Sequence, residues 1–181
     1  MDLVFIGGSL RSASLNRRLM GFLAQEVTMM GHSARVFAGE DLRLPLYEEG
    51  LTLPKTVAAM TEALRGARGA VIVSPEYNAG IPPHLKNAVD WLSTLRPSVF
   101  KGLPILLAAA SPGAFGGARG LISWRATLAN MGAWAAPGAI TVPRADTNLA
   151  ADGTPIEERT ILEITRTLES FLAMAERLSR S

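Results

Sequence analysis

The tightest constraint on the fold is a run with almost no polar side chain, Gly69 to Ser74, halted at once by Pro75. A strand on a sheet with one wet face alternates polar and apolar residues. A run such as Ala70-Val71-Ile72-Val73 instead needs dry cover on both faces, as inside a parallel sheet flanked by helices. Leu3-Val4-Phe5-Ile6, stopped by Gly7-Gly8, and Pro104 to Ala110, followed by Ser111-Pro112-Gly113, have the same character.

Helical periodicity fills the intervals. Leu15, Leu19, Phe22, Leu23, Val27 and Met30 share one helix face, with Gly31 as the stop. A second helix is predicted from about Thr56 to Arg65. Leu85, Ala88, Val89 and Leu92 form the stripe of a third, and Leu121, Trp124, Leu128 and Met131 that of a fourth. Thr154-Pro155-Ile156-Glu157 reads as a capping box with proline at the first helical position. The helix it opens would bury Ile161, Ile164, Leu168, Phe171, Leu172, Ala175 and Leu178. Ala34 to Phe37 is a weaker second strand, Ala139 to Val142 a fifth, and Asp41 to Pro54 is an irregular connection.

Five strands alternating with five helices predict a three-layer α/β fold with a doubly wound parallel sheet. At 181 residues the chain is expected to form one domain. Right-handed crossovers and about five strands favour the flavodoxin-like order 2-1-3-4-5. Its switch point lies between the first and third strands, where open sheets take ligands. The loops there are Gly7–Asn16 and Pro75–Pro83, the two least ordinary stretches of the sequence.

Composition removes several classes of function. The net charge is only +2, and basic residues are scattered without a run, so nucleic acid is not an expected partner. No apolar stretch reaches membrane-spanning length. With no cysteine, thiolate catalysis and soft-ligand metal sites are excluded, and the cytoplasm is the expected location. His32 and His84 are the only histidines, and neither a metal pair nor a Ser-His-Asp triad is expected.

The first loop, Gly8 to Asn16, lacks both the dinucleotide glycine fingerprint and the Walker lysine. It offers hydroxyls at Ser9, Ser12 and Ser14, a guanidinium at Arg11, an amide at Asn16 and main-chain N–H groups at a helix start. Those groups suit a phosphate dianion. The plainer alternative is N-capping by Ser12 or Ser14 beside a solvated Arg11. The central loop, Pro75-Glu76-Tyr77-Asn78-Ala79-Gly80, combines an aromatic ring, a carboxylate and an amide, a set able to lie along a flat heterocycle. Read more plainly, it is a proline-punctuated turn. The third loop, Ser111 to Gly120, is glycine-rich, as a flexible connection or a close main-chain approach to a ligand requires.

Three motifs taken together, Ser9-x-Arg11-x-x-Ser14-x-Asn16, Pro75-Glu76-Tyr77-Asn78 followed by Leu85-Lys86-Asn87-Ala88-Val89-Asp90-Trp91, and Ser111-x-Gly113-x-x-Gly116-Gly117, resemble the NADPH-dependent FMN reductases. That family includes bacterial quinone, azo-dye and chromate reductases. The resemblance runs from Leu3 to about Met131. It implies that Ser9, Arg11, Ser14, Leu15 and Asn16 hold an FMN phosphate. Pro75, Glu76, Tyr77 and Asn78 would line the flavin ring, with Ser111, Gly113, Gly116 and Gly117 on the neighbouring wall. It further implies hydride transfer from NADPH or NADH through flavin N5 to a quinone-like or azo acceptor, with no catalytic side chain. Homodimers or homotetramers are the implied assemblies. Two other functions share this fold: a flavodoxin-type electron carrier, opposed by the lack of an acidic docking face, and a cofactor-free regulatory protein.

Overall fold

The computed structural model describes residues 1–178. Strands β1 (Asp2–Gly7), β2 (Ser33–Ala38), β3 (Gly69–Val73), β4 (Pro104–Ala110) and β5 (Trp134–Val142) form one sheet in the order β2-β1-β3-β4-β5. Every neighbouring pair is parallel. This is the flavodoxin-like order predicted from the alternation of elements.

Helices α1 (Leu15–Met29), α2 (Lys55–Gly66), α3 (Pro83–Ser93), α4 (Ala118–Asn130), the short α5 (Ala145–Asn148) and α6 (Glu158–Arg177) complete the chain. Alternate residues of the central strands feed two cores. Val4, Ile6, Ile72, Ile105 and Leu107 pack with α2, α3 and α4. Leu3, Phe5, Val71, Val73 and Leu106 pack with α1 and α6 on the other face. Each such Leu, Ile or Phe stabilises the fold by roughly 1.5–3 kcal/mol relative to leaving it in water. Trp91 and Trp124 are core residues at 2% and 0% exposure, whereas Trp134 is exposed.

Local chemistry explains the ends of α1. Ser14 accepts from the Asn16 N–H as N-cap. At the other end the Gly31 N–H donates to the Thr28 carbonyl and the His32 N–H to Val27, with Gly31 at φ +84°, a Schellman closure.

Two boundaries differ from expectation. The last helix starts at Glu158 rather than at the Thr154-Pro155 step, and Glu157 caps it with no side-chain bond. Pro155 instead pairs with Leu149, and the Ala150 N–H donates to the Thr154 carbonyl, so these residues close a tight loop. The fifth strand begins five residues early, at Trp134 rather than Ala139. Pro137-Gly138 disguises its start, and the register against β4 slips between Ile105 and Leu107. The Arg125 guanidinium compensates there, donating to the carbonyls of Ala136 at 2.8 Å and Pro137 at 2.9 Å.

Candidate functional site

The loops after β1, β3 and β4 leave the carboxyl edge of the sheet side by side. Gly8 N–H donates to Val73 O, Ser74 N–H to Ala108 O and Ser111 N–H to Val142 O, so the ladder continues into each loop before they part. A cavity of about 150 Å³ opens between them, lined by Ser9, Arg11, Ser14, Leu15, Asn16, Pro75, Glu76, Tyr77 and Ser111, together with Ala110 and Pro112. Nine of the thirteen residues predicted for the site thus share one cavity. It sits at the β1–β3 switch point.

The first loop is a row of hydrogen-bond donors. Among the described residues no group accepts from the main-chain N–H of Ser9 through Leu15. Ser9 is only 4% exposed and its hydroxyl has no partner among the described residues. Ser14 accepts from Asn16 N–H at 3.2 Å, which leaves its own hydroxyl hydrogen to donate. The amino end of α1 adds its positive dipole. Arg11 is exposed at the rim.

Asn16 works differently from its neighbours. Its Nδ2 donates to Ala110 O at 2.8 Å and its Oδ1 accepts from Ala110 N–H at 2.9 Å. These two bonds tie α1 to the end of β4 and position the cradle, and the second Nδ2 hydrogen remains to donate.

The central loop is a two-residue hairpin. Tyr77 N–H donates to Gly80 O at 3.1 Å and Gly80 N–H returns to Tyr77 O at 2.9 Å. Asn78 and Ala79 between them have φ of +51° and +61°, a type I′ turn. Asparagine tolerates that region, whereas alanine is strained there. The turn presents Tyr77 at 47% exposure and carries Asn78 to the tip, outside the cavity. Glu76 turns inward: Oε1 accepts from Arg119 Nε at 2.9 Å and Oε2 from Gly120 N–H at 3.1 Å. Partial burial pushes this carboxyl up, but the Arg119 and Gly120 donors outweigh it and hold it below the ordinary carboxylate value. Glu76 therefore braces the hairpin against α4.

Gly116 and Gly117 of the third loop pack closely against the protein itself. A β-carbon on Gly116, at φ +57°, would lie 2.8 Å from the Val142–Pro143 backbone, and one on Gly117 2.7 Å from the Ala109 side chain. Gly113 N–H donates to Ser111 Oγ at 3.1 Å. None of the three lines the cavity; close packing accounts for Gly116 and Gly117, whereas Gly113 is exposed with only Ser111 Oγ, 3.4 Å away, near a β-carbon there.

Sequence reasoning missed His84. Its Nε2 lies 2.6 Å from Gly8 O and its ring stands edge-on to Tyr77. The available signal was position, since a residue in the first turn of α3 faces the loop leaving β1. The Leu85–Trp91 motif also gains a physical reason. Asn87 Oδ1 accepts from Tyr47 N–H and its Nδ2 donates to Pro45 O, while Trp91 Nε1 donates to the same carbonyl, clasping the long connection onto α3. Three larger grooves lie elsewhere among the described residues, about 590 Å³ beside α3 and α4, and about 620 Å³ and about 340 Å³ between β5 and α6; none joins the loops of the switch point.

The fold is flavodoxin-like, and the free amides and hydroxyls at its switch point are the donor set that an anionic group requires. The sequence profile of the NADPH-dependent FMN reductases matches residues 1–147, and the chain belongs to that family. A quinone reductase of Escherichia coli is 41% identical over 127 residues, 66% of this chain and 64% of that protein. The match therefore spans somewhat less than two thirds of that relative's length. An NADPH azoreductase of a Bacillus species is 28% identical over 190 residues, 99% of this chain and 97% of the relative. Among solved structures, FerB, a flavoenzyme NAD(P)H:(acceptor) oxidoreductase from Paracoccus denitrificans, superposes with a TM-score of 0.85 at 26% identity over 97% of each chain. No helix among the described residues is long and apolar enough to cross a membrane.

Proposed function

We propose that this protein is an FMN-dependent NAD(P)H oxidoreductase acting on a quinone-like or azo acceptor. The observation that carries the reading is the row of unpartnered donors from Ser9 to Leu15, converging with buried Ser9 and rim Arg11 beside an exposed tyrosine ring. About 150 Å³ is the share of roughly five water molecules, enough for a phosphate group and too small for a whole flavin nucleotide. The ring system must then extend beyond the cavity, past the Tyr77 ring that lines it.

The residues divide the work by chemistry. Ser9 and Ser14 donate hydroxyl hydrogens to the phosphate, the amides of the loop and of Leu15 add main-chain donors, and Arg11 adds charge-assisted bonds. Pro75 and Tyr77 brace one side of the ring and Ser111 borders the other, while Asn78 at the tip of the turn shapes the mouth. Bound there, FMN supplies the redox chemistry, accepting hydride from a nicotinamide at N5 and delivering two electrons to the acceptor. No side chain is required as acid or base; water provides the acceptor's proton. Glu76, already held ionised by Arg119, lacks the raised carboxyl that general acid work needs. We further read the protein as a cytoplasmic homo-oligomer; Phe115 and Ile122, exposed at 67% and 68%, are apolar side chains for a second copy to cover.

Anaerobic stopped-flow reduction by NADPH and by NADH, followed by a panel of quinone and azo acceptors, tests the reading. Rapid bleaching of flavin absorbance and reoxidation by acceptor are expected. A protein that takes up FMN but is not reduced by either nicotinamide would leave an electron carrier; one that takes up no flavin would end the enzyme reading.

A further inference from the structure

His84 takes no part in the chemistry above, yet it touches both halves of the crevice. A carbonyl oxygen only accepts, so the 2.6 Å contact means that His84 Nε2 carries the hydrogen and donates to Gly8 O. The same ring meets Tyr77 edge-on, with centroids 6.0 Å apart and planes at 70°. Gly8 is immobilised from its other sides too. Its N–H donates to Val73 O at 2.8 Å, and a β-carbon there would collide with the Leu85 side chain and lie 3.1 Å from Pro75 Cδ. The root of the anion loop is therefore wedged between β3, Pro75 and the first turn of α3.

The Gly8 carbonyl and the Ser9 N–H belong to one planar peptide unit. Fixing the oxygen fixes the plane in which the first donor of the cradle lies. The Ser9 N–H has no partner among the described residues. When an anion accepts from it, the peptide polarises and its oxygen becomes a better acceptor, which strengthens the bond from His84. A tighter hold on the imidazole is felt by the Tyr77 ring resting against its edge.

We propose that His84 is a positioning residue coupling the anion cradle to the ring platform, so that phosphate in the cradle tightens binding of the flat ring beside Tyr77, and the ring tightens phosphate in return. The inference rests on the cofactor reading proposed above. Coupling between sites is reciprocal and commonly amounts to roughly 5- to 150-fold in affinity. The donor matters more than the imidazole itself, since any planar N–H group of similar reach can hold the Gly8 oxygen.

Riboflavin and inorganic phosphate serve as the two halves of the ligand. Riboflavin affinity is measured by fluorescence quenching with and without phosphate, at constant ionic strength balanced by chloride. In the wild type phosphate should tighten riboflavin at least about fivefold. His84→Leu should abolish that gain, and His84→Gln, which keeps an N–H donor, should retain part of it. Should His84→Leu fail to fold, the imidazole N–H resonance of wild-type His84, assigned by its loss in His84→Gln, decides: phosphate should move it downfield. Wild-type protein that binds FMN but shows no coupling, a His84→Leu variant that couples as wild type does, or an unmoved resonance overturns the proposal while leaving the cofactor reading intact. Wild-type protein that binds neither FMN nor riboflavin overturns both.

Discussion

Asn16 and Ala110 face each other across the sheet edge with two hydrogen bonds of 2.8 and 2.9 Å, one in each direction, between an α1 side chain and the last peptide of β4. A single buried amide thus fixes how far the anion loop stands from the third wall of the crevice. Asn16→Leu leaves a buried N–H and a buried C=O without partners, each worth about 1–3 kcal/mol. Thermal unfolding of the protein without flavin should show a loss of roughly 2–5 kcal/mol. Asn16→Asp should also be destabilised, since its second oxygen then faces the Ala110 carbonyl. A change within surface-substitution range, about 0.5 kcal/mol, would contradict the strut.

The hairpin tip holds Ala79 at φ +61°. A β-carbon in the left-handed region costs roughly 1–2 kcal/mol, and glycine gives back about 0.5–1 kcal/mol in backbone entropy. Ala79→Gly should therefore stabilise the protein by up to about 1 kcal/mol in chemical denaturation. A destabilised variant would mean the turn is not as described.

Glu76 links stability to pH. Its carboxyl is held below the ordinary 4.5, so the stability it contributes is fully present above that value and is lost as pH falls through the depressed one. Wild type should exceed Glu76→Gln in unfolding midpoint at neutral pH, with the gap closing as the solution is acidified below 4.5. A gap that widens in acid would reverse the sign and refute the Arg119 pairing.

Gly116 separates packing from ligand approach. With φ +57° and the Val142–Pro143 backbone 2.8 Å from a β-carbon, Gly116→Ala adds strain and a backbone clash together. Calorimetry should show a loss of at least about 2 kcal/mol in flavin-free protein. Normal stability with impaired flavin uptake would return the glycine to the ligand.

Periodicity exposed the sheet because Leu3–Ile6, Gly69–Val73 and Pro104–Ala110 are buried on both faces and carry nothing polar at their centres. The start of β5 was hidden because Pro137 and Gly138 read as turn residues, and only Arg125, distant in sequence, makes that backbone tolerable. Ser9, Arg11, Ser14 and Tyr77 could be singled out by residue type at a predicted sheet edge. Their division of labour could not. That Asn16 grips Ala110 and that Glu76 grips Arg119 depends on which group lies opposite, separations of 94 and 43 residues that local pattern does not encode. His84 escaped for the same reason, its partner Gly8 being 76 residues away.

The affinity of the wild type for FMN against riboflavin, repeated in Arg11→Ala, bears most directly on the cradle. The two ligands differ only by the phosphate, and hydrogen bonds to a charged group contribute about 1.5–3 kcal/mol each, where 1.4 kcal/mol is tenfold. FMN should bind at least about tenfold more tightly than riboflavin, and Arg11→Ala should remove much of that preference while leaving riboflavin unaffected. Equal affinity for the two in the wild type would contradict an anion site between Ser9 and Asn16.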